Sequence, residues 1–576
     1  MFTKSSDQYI ELTTDVLVIG SGGAALRAAI AADSLGVKVL VAVKGKFAKS
    51  GATYYSVAEI GAFNVPDGAA DSQDSPAQFF EDILAAGLGM CDARLSRVLA
   101  EEAVEAMHFL EDAGVEFAKK DSNYLAFQAC FSSKPRSHVI HNHFKPILAA
   151  LGQQVSQLGI KVCEHLAITN LIIRDGCCYG AYALDSNGTP ILIRAKATIL
   201  ATGGASQLFR RNLYPPDITG DGYAMAHRAG ARLVNMEFMQ AGIGVIHPFT
   251  NLFGNYLWNA RPAITNKDHE PFIDRYLDFG LTVDMVMGEK AGHFPFSSRD
   301  ISRFVELSVH KEISRGNGTT NGGVYLDFSG SDFQKLLADE TSFSKMWPVT
   351  YEWYLKHHLD LYKDKLEIAC FAHAVNGGIM IDVNAESNIK GLFAAGEVAG
   401  GPHGADRLGG NMSVTCQVFG KRAGEAAAHY SNSIDGHRSI PKLGDEEKQF
   451  RCRFRGNGTV PLLALKRQLQ ESADRYLLIA RSGNGLQQFL TELDALEVSL
   501  LNDSNIGGAA EMLRAVELTN LIETGRIMAT AAWLRTESRG SHYREDYPTM
   551  SDEWNRNIVL DRNAKNGYFT AEPNGA

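Results

Sequence analysis

An arginine set in a glycine-rich loop is the side chain of this sequence most suited to chemistry. Arg407 stands inside the sixteen residues from Gly396 to Asn411, six of which are glycine. The apolar run Leu392 to Ala395 precedes them, and a helix-forming stretch through Phe419, Gly420 and Ala428 follows. That order predicts a strand end, a tight backbone loop and a helix start. The free N–H groups of such a loop, and the N-terminus of the helix it opens, suit a negatively charged ligand. Arg407 adds a permanently charged planar fork that matches a carboxylate.

A second constellation lies near the start. The apolar run Val16 to Ile19 feeds into Gly20-Ser21-Gly22-Gly23-Ala24-Ala25, an Ala-rich helix is expected to about Leu35, Gly36 closes it, and Val37 to Val43 reads as the next strand. This is a dinucleotide-binding βαβ start, with Gly20 for the turn, Gly22 for close approach of a pyrophosphate and Ala25 for helix packing. Val43-Lys44 stands where an acidic residue would hold an NAD ribose, so simple NAD binding is disfavoured.

The elements that must position these groups follow from periodicity. Residues 75 to 160 read largely as helices, and Ile160 to Val162, Ala167 to Ile173, Cys178 to Leu184 and Pro190 to Ile193 read as a small β-meander. Ala195 to Leu200 is a further buried strand, and Asp221 is expected to cap the helix after it. Leu462, Leu465 and Leu469, and Leu493, Leu496 and Leu500, recur at helical spacing as packing stripes. A polar linker is expected from Ser431 to Gly444.

At 576 residues with 45 % hydrophobic content, the chain has material for several structural units. A net charge of -10 with no basic run argues against nucleic acid or an anionic membrane as the main partner. No apolar stretch approaches the roughly 20 residues that span a bilayer, and Met1 to Leu12 is polar, so the cytoplasm is the expected location. The eight cysteines form no CxxC, so no zinc or iron–sulfur site is expected in this chain. His138, His141 and His143 cluster, but no carboxylate completes a metal site there, and none is expected.

His403-Gly404-Ala405-Asp406-Arg407-Leu408-Gly409-Gly410-Asn411 resembles the HGANRLGGN loop of the succinate dehydrogenase, fumarate reductase and L-aspartate oxidase flavoprotein family. Arg535 to Pro548 resembles that family's RxESRGAHYREDFP, and Ala201-Thr202-Gly203-Gly204 its ATGG. The resemblance runs from about residue 12 to 565. It implies an α/β fold in which an FAD-binding two-dinucleotide-type, Rossmann-like domain carries an inserted α+β capping domain and is followed by a C-terminal helical domain. The expected boundaries are 12–235 and 366–432 for the FAD-binding domain, 236–365 for the cap and 445–576 for the helical domain and tail.

The same resemblance places FAD against Gly20, Gly22, Gly23, Ala24, Ala25, Lys44, Ser50, Gly51, Ala52, Thr53, Ala201, Thr202, Gly203, Asp221, Glu397, Arg407, Asn411, Met412 and Ser413. The segment Ser50 to Gly61 is loosely similar to SHTxxAQGGI, whose histidine bonds covalently to FAD in the respiratory enzymes. Ala52 stands there, which implies non-covalent FAD.

Family chemistry moves a hydride between flavin N5 and a carbon near a carboxylate while a proton moves on the neighbouring carbon. By resemblance Arg407 holds the carboxylate, and His373, in a sequence like HxxxGGI, polarises it. The family's proton-shuttling arginine aligns with Trp258, and Arg261, three residues on, is the candidate replacement. The second carboxylate-binding histidine, in MEFVQFHPT, aligns with Gly242, with His247 downstream. A pocket wider and less positive beyond Arg407 is therefore expected. Arg299 and Arg303, in a stretch like RDxxxR, orient substrate or pair with carboxylates.

The implied function is an FAD-dependent oxidoreductase acting on a saturated or α,β-unsaturated carboxylic acid. The alternatives are an L-aspartate-oxidase-like enzyme and the flavoprotein subunit of an electron-transfer complex with an iron–sulfur partner.

Overall fold

The computed structural model describes residues 9–55, 58, 60–252, 254–436, 445–454 and 456–571. Its main sheet has seven strands, in the order Lys161–Cys163, Val39–Ala42, Ile10–Ile19, Pro190–Leu200, Cys177–Asp185 and Leu166–Arg174, with Leu392–Ala394 also paired to Pro190–Leu200. The strands next to Ile10–Ile19 run parallel to it, and Val16 to Ile19 is buried throughout, the pattern of a strand covered on both faces.

Two features differ from the sequence reading. Pro190–Leu200 is one strand, paired antiparallel with Cys177–Asp185 through its first half and parallel with Leu392–Ala394 at its end. Lys161–Cys163 is not in the meander but pairs parallel with Val39–Ala42 at the opposite edge. The helix Lys145–Gln157 precedes it, and a helical connection of that kind delivers a parallel neighbour.

Helix Gly23–Asp33 lies directly against helix Asn411–Asn432, so that a Cβ at Gly424 would stand 2.3 Å from the Ala28 carbonyl oxygen. Gly20, at φ +123°, is held as closely, with a Cβ there only 2.2 Å from the Ala201 carbonyl oxygen. These contacts bring three glycine-rich turns together at one end of the sheet, where ligands of such folds bind.

A second sheet, in the order Met239–His247, Leu366–Val375, Val324–Asp327 and Ala263–Thr265, covers that end. Leu366–Val375, the strand with which the nucleotide-binding chain was expected to resume, pairs with strands on both of its sides that come from the inserted segment. Behind lie the helices Leu462–Tyr476, Gly483–Asn502 and Ala509–Leu534, whose leucine stripes are buried as their spacing predicts. Residues 437–444 of the expected linker lie outside the described residues.

The C-terminal turn after Leu534 is fastened by buried ions. The Glu537 carboxylate accepts from Arg535 Nη1 at 2.9 Å, Arg539 Nε at 2.7 Å and the Ser551 N–H at 2.8 Å. Arg535 in turn reaches Glu237 at 2.7 Å, and Ser541 donates from both backbone and hydroxyl to the Ala405 carbonyl. Glu537→Ala leaves the buried Arg539 guanidinium without a carboxylate and Arg535 with Glu237 alone, so unfolding in denaturant should show a loss of about 3–5 kcal/mol. The exposed Glu352→Ala should leave the midpoint unmoved.

Candidate active site

The three turns wall a long cleft. Gly20, Gly22, Gly23 and Ala24 line it from the first turn, Ser50, Gly51, Ala52 and Thr53 from the segment after the second strand, and Ala201, Thr202 and Gly203 from the third turn. Lys44, Asp221, Glu397, Arg407, Met412 and Ser413 complete the wall. Two helices aim their N-termini into it, one starting at Gly23 and one at Asn411, and their free N–H groups offer positive potential to a phosphate or a reduced ring.

Two predicted cofactor contacts lie off this wall. Ala25 is buried inside its helix, and the Asn411 side-chain oxygen accepts from the Asn64 amide while its Nδ2 has no hydrogen-bond partner.

Asp221 was expected to cap its helix. Gly220 occupies the cap position instead, and the Asp221 carboxylate accepts from Lys44 Nζ at 2.8 Å and from the Asn520 amide at 2.8 Å. Lys44 Nζ also meets Glu517 at 2.8 Å, so its charge is matched within the protein. These two carboxylates hold the ammonium above its ordinary range despite its burial.

The cleft ends at Arg407 and His373. Arg407 is 6 % exposed, and among the described residues it makes no ion pair. Its Nη1 donates to its neighbour's carbonyl, Leu408 O, at 3.1 Å, Nη2 points at His373 Nε2 at 3.4 Å, and Nε has no acceptor. Burial lowers its pKa, partly countered by Tyr214 and Glu397.

His373 Nδ1 lies 2.8 Å from the Tyr214 hydroxyl, whose ring stacks over the imidazole at 13°. A tyrosine hydroxyl donates or accepts, so it allows His373 to keep its one proton on Nδ1 or present it from Nε2. Burial and the adjacent guanidinium hold the imidazole neutral, with its pKa down to about 3.

The loop carrying Arg407 is fixed from every side. Asp406 turns away and accepts from Arg299 at 2.8 Å and Ser297 at 2.6 Å. The Gln240 amide donates to the Arg407 carbonyl at 3.1 Å, and the Asn64 amide to Gly409 O at 2.7 Å. Arg299 is thus committed to structure, and Arg303 reaches the Asp300 carbonyl.

Arg261 does not join this group. Its side chain is half exposed and pairs with Asp284, because it follows a short helical turn that buries Trp258 and turns the arginine outward. His247 likewise sits exposed at the end of its strand. Of the three clustered histidines, His143 lines the cleft, His138 is buried beside Asp67 at 3.2 Å, and His141 is exposed.

The expectation of a wider pocket at Gly242 is overturned. The Phe294 ring fills the space, so close that a Cβ on Gly242 would lie 2.7 Å from its Cζ. Beyond Arg407 and His373 the cavity is about 140 Å³, walled by Phe127, Ala129, Leu252, Tyr256 and Phe294. Phe294 and Tyr214 escaped the sequence reading, since each arrives from a distant segment with no motif around it.

Comparison with known proteins agrees with this architecture. Residues 15–413 match a family model described as an FAD binding domain, and residues 466–573 match one described as the fumarate reductase flavoprotein C-term. The chain is 34% identical over 559 residues to one subunit of the fumarate reductase (CoM/CoB) of Methanothermobacter marburgensis, covering 95% of this chain and 97% of that one. It is 30% identical to the L-aspartate oxidase of Vibrio cholerae, covering 95% and 98%. Among solved structures, Mycobacterium smegmatis Sdh1 in complex with UQ1 superposes with a TM-score of 0.82 at 28% identity, covering 98% of this chain and 95% of that one.

Glu397 gives the cleft a pH signature. Burial pushes its carboxyl up to about 7, against the lowering pull of the Val375 N–H at 3.1 Å and of Arg407. The folded state therefore keeps a proton that the unfolded chain releases near 4.5, so stability falls as pH rises between those values. Flavin-free protein should lose on the order of 3 kcal/mol across that window, and Glu397→Gln should flatten the loss in pH-dependent denaturant titrations.

Proposed function

The chain belongs to the FAD-binding flavoprotein family of fumarate reductase and succinate dehydrogenase, and from that premise we propose that it acts on the carbon–carbon bond of a carboxylic acid held by Arg407. It is an FAD-dependent oxidoreductase. FAD supplies hydride transfer at its N5. The observation that carries the proposal is the buried, unpaired Arg407 guanidinium at the junction of cleft and cavity. A buried cation without a counter-ion is costly, and a carboxylate accepting from Nη2 and the orphaned Nε relieves that cost.

His373 stands beside that carboxylate. Kept neutral, it adds a hydrogen bond without a second charge, and Tyr214 sets which nitrogen faces the acid. The largely apolar walls lower the local polarity and strengthen both contacts. The Gly20 to Ala24 turn, Thr202 and the helix starting at Asn411 hold the dinucleotide, and Ala52 offers no nucleophile to the flavin ring, so we read FAD as non-covalent.

Because the cysteines of this chain form no cluster motif, its electrons pass to oxygen, to a soluble acceptor or to another subunit, and we favour the last. The Methanothermobacter marburgensis relative is named as one subunit of its enzyme, which supports an electron-transfer partner, with an iron–sulfur protein the candidate. No helix among the described residues is long and apolar enough to cross a membrane, and we place the protein in the cytoplasm. An L-aspartate-oxidase-like reading shares the Ala52 feature and the Vibrio cholerae similarity, but a second carboxylate finds no further cation on the cavity wall among the described residues.

Acid precipitation should release all the flavin into the supernatant, whereas a yellow pellet would disprove non-covalent binding. In anaerobic stopped flow, chemically reduced enzyme should be reoxidised by an α,β-unsaturated acid, and Arg407→Ala should slow this by roughly 10²–10³-fold. Equal rates in the variant would remove the carboxylate role.

A further inference from the structure

Resting on that reading, we infer that the acid taken by this site carries one carboxylate and a flat aryl substituent, and that Phe294 selects it. The cavity beyond Arg407 has one charged end. Its far wall is mostly Phe127, Leu252 and Phe294, with Asn255 and Gln240 as uncharged polar members; the Tyr256 hydroxyl is engaged by Thr350 at 2.7 Å and the Gln240 NH2 by the Arg407 carbonyl, leaving the Gln240 Oε1 without a donor.

The other cations of this region are committed elsewhere. Lys290 is buried with Glu306 and donates to the Phe294 carbonyl at 2.6 Å, Arg299 holds Asp406, and Arg261 faces solvent with Asp284. His293 is bound to the Pro295 carbonyl at 2.9 Å and to Asp300 at 3.1 Å. A second carboxylate in the cavity would be desolvated with no cation among the described lining residues to meet it, which is strongly unfavourable.

Phe294 is not a side chain that swings aside. Its ring packs on Phe371 at 6.2 Å and 28°, and meets His373 edge-on at 90°. Its N–H donates to Cys130 Sγ at 3.0 Å, and the Gly242 backbone backs the ring. An aryl group entering beside it gains an aromatic contact in addition to apolar burial. The volume agrees, since an apolar protein cavity of about 150 Å³ accepts benzene, and this one is about 140 Å³.

The test is binding of two saturated acids, 3-phenylpropanoate and succinate, to oxidised FAD-loaded enzyme, followed by the flavin difference spectrum. 3-Phenylpropanoate should bind about 100-fold more tightly than succinate. Phe294→Ala should cut that preference by about 10-fold or more, with Phe294→Leu intermediate and available should the alanine variant not fold.

Succinate binding as tightly as 3-phenylpropanoate, or a preference unmoved in both Phe294 variants, overturns the inference and leaves the carboxylate reading standing. If neither acid binds, or if Arg407→Ala leaves binding intact, the carboxylate reading falls and the inference with it.

Discussion

A guanidinium buried without a counter-ion is the constraint on which this structure turns. Among the described residues Arg407 makes no ion pair, and only nearby Tyr214 and Glu397 partly counter its desolvation: its neighbour Asp406, which could have neutralised it, faces the other way and is taken by Arg299 and Ser297. Keeping like and unlike charges apart over one residue demands a rigid backbone. Rigidity comes from segments far apart in the chain, because Asn64, Gln240 and Ser541 all bond the loop's backbone. The buried ions around Glu537 belong to the same device, since they hold the turn that brings Ser541 to Ala405. The fold thus maintains a charge that only a ligand can satisfy.

The cleft treats its other charges in the opposite way. Lys44 is matched by Asp221 and Glu517, so the dinucleotide site relies on backbone N–H groups and two helix N-termini rather than on a free lysine. Burial keeps His373 neutral and raises the Glu397 carboxyl to about 7, so that it is protonated below neutral pH. Between them Arg407 is left as the single strong source of field, which suits a site that must orient one carboxylate against one ring edge.

How much of this was legible in the sequence depended on how local the cause was. The βαβ start, the Gly396 to Asn411 loop and the leucine stripes are short-range patterns with a direct backbone meaning, and the structure forms each of them where the residues stand. Non-local pairing was not legible. Lys161–Cys163 looks like the first strand of a meander, and only the path of the preceding helix moves it to the other edge. Arg261 seemed able to replace a missing arginine by proximity in sequence, but burial of Trp258 decides the direction of that turn. Asp221 had the residue type and position of a cap, yet the partly buried Lys44 ammonium competes for it more strongly than backbone N–H groups do.

Gly242 shows most clearly why loss of a side chain does not predict a void. In one dimension, glycine in place of histidine reads as empty space. In the folded chain a gap of that size costs packing energy, and interiors close such gaps from whichever segment lies opposite. Here the segment is the one between His293 and Pro295, clamped by Cys130, Lys290 and the Gly242 backbone, and what it supplies is a phenylalanine ring. At Gly242 the wall is therefore an aromatic face rather than a void, and it stands next to Arg407 and His373. Anchoring and chemistry stay with the loop and the strand end, while selection passes to the opposite wall, where the Phe294 ring also buttresses His373 edge-on.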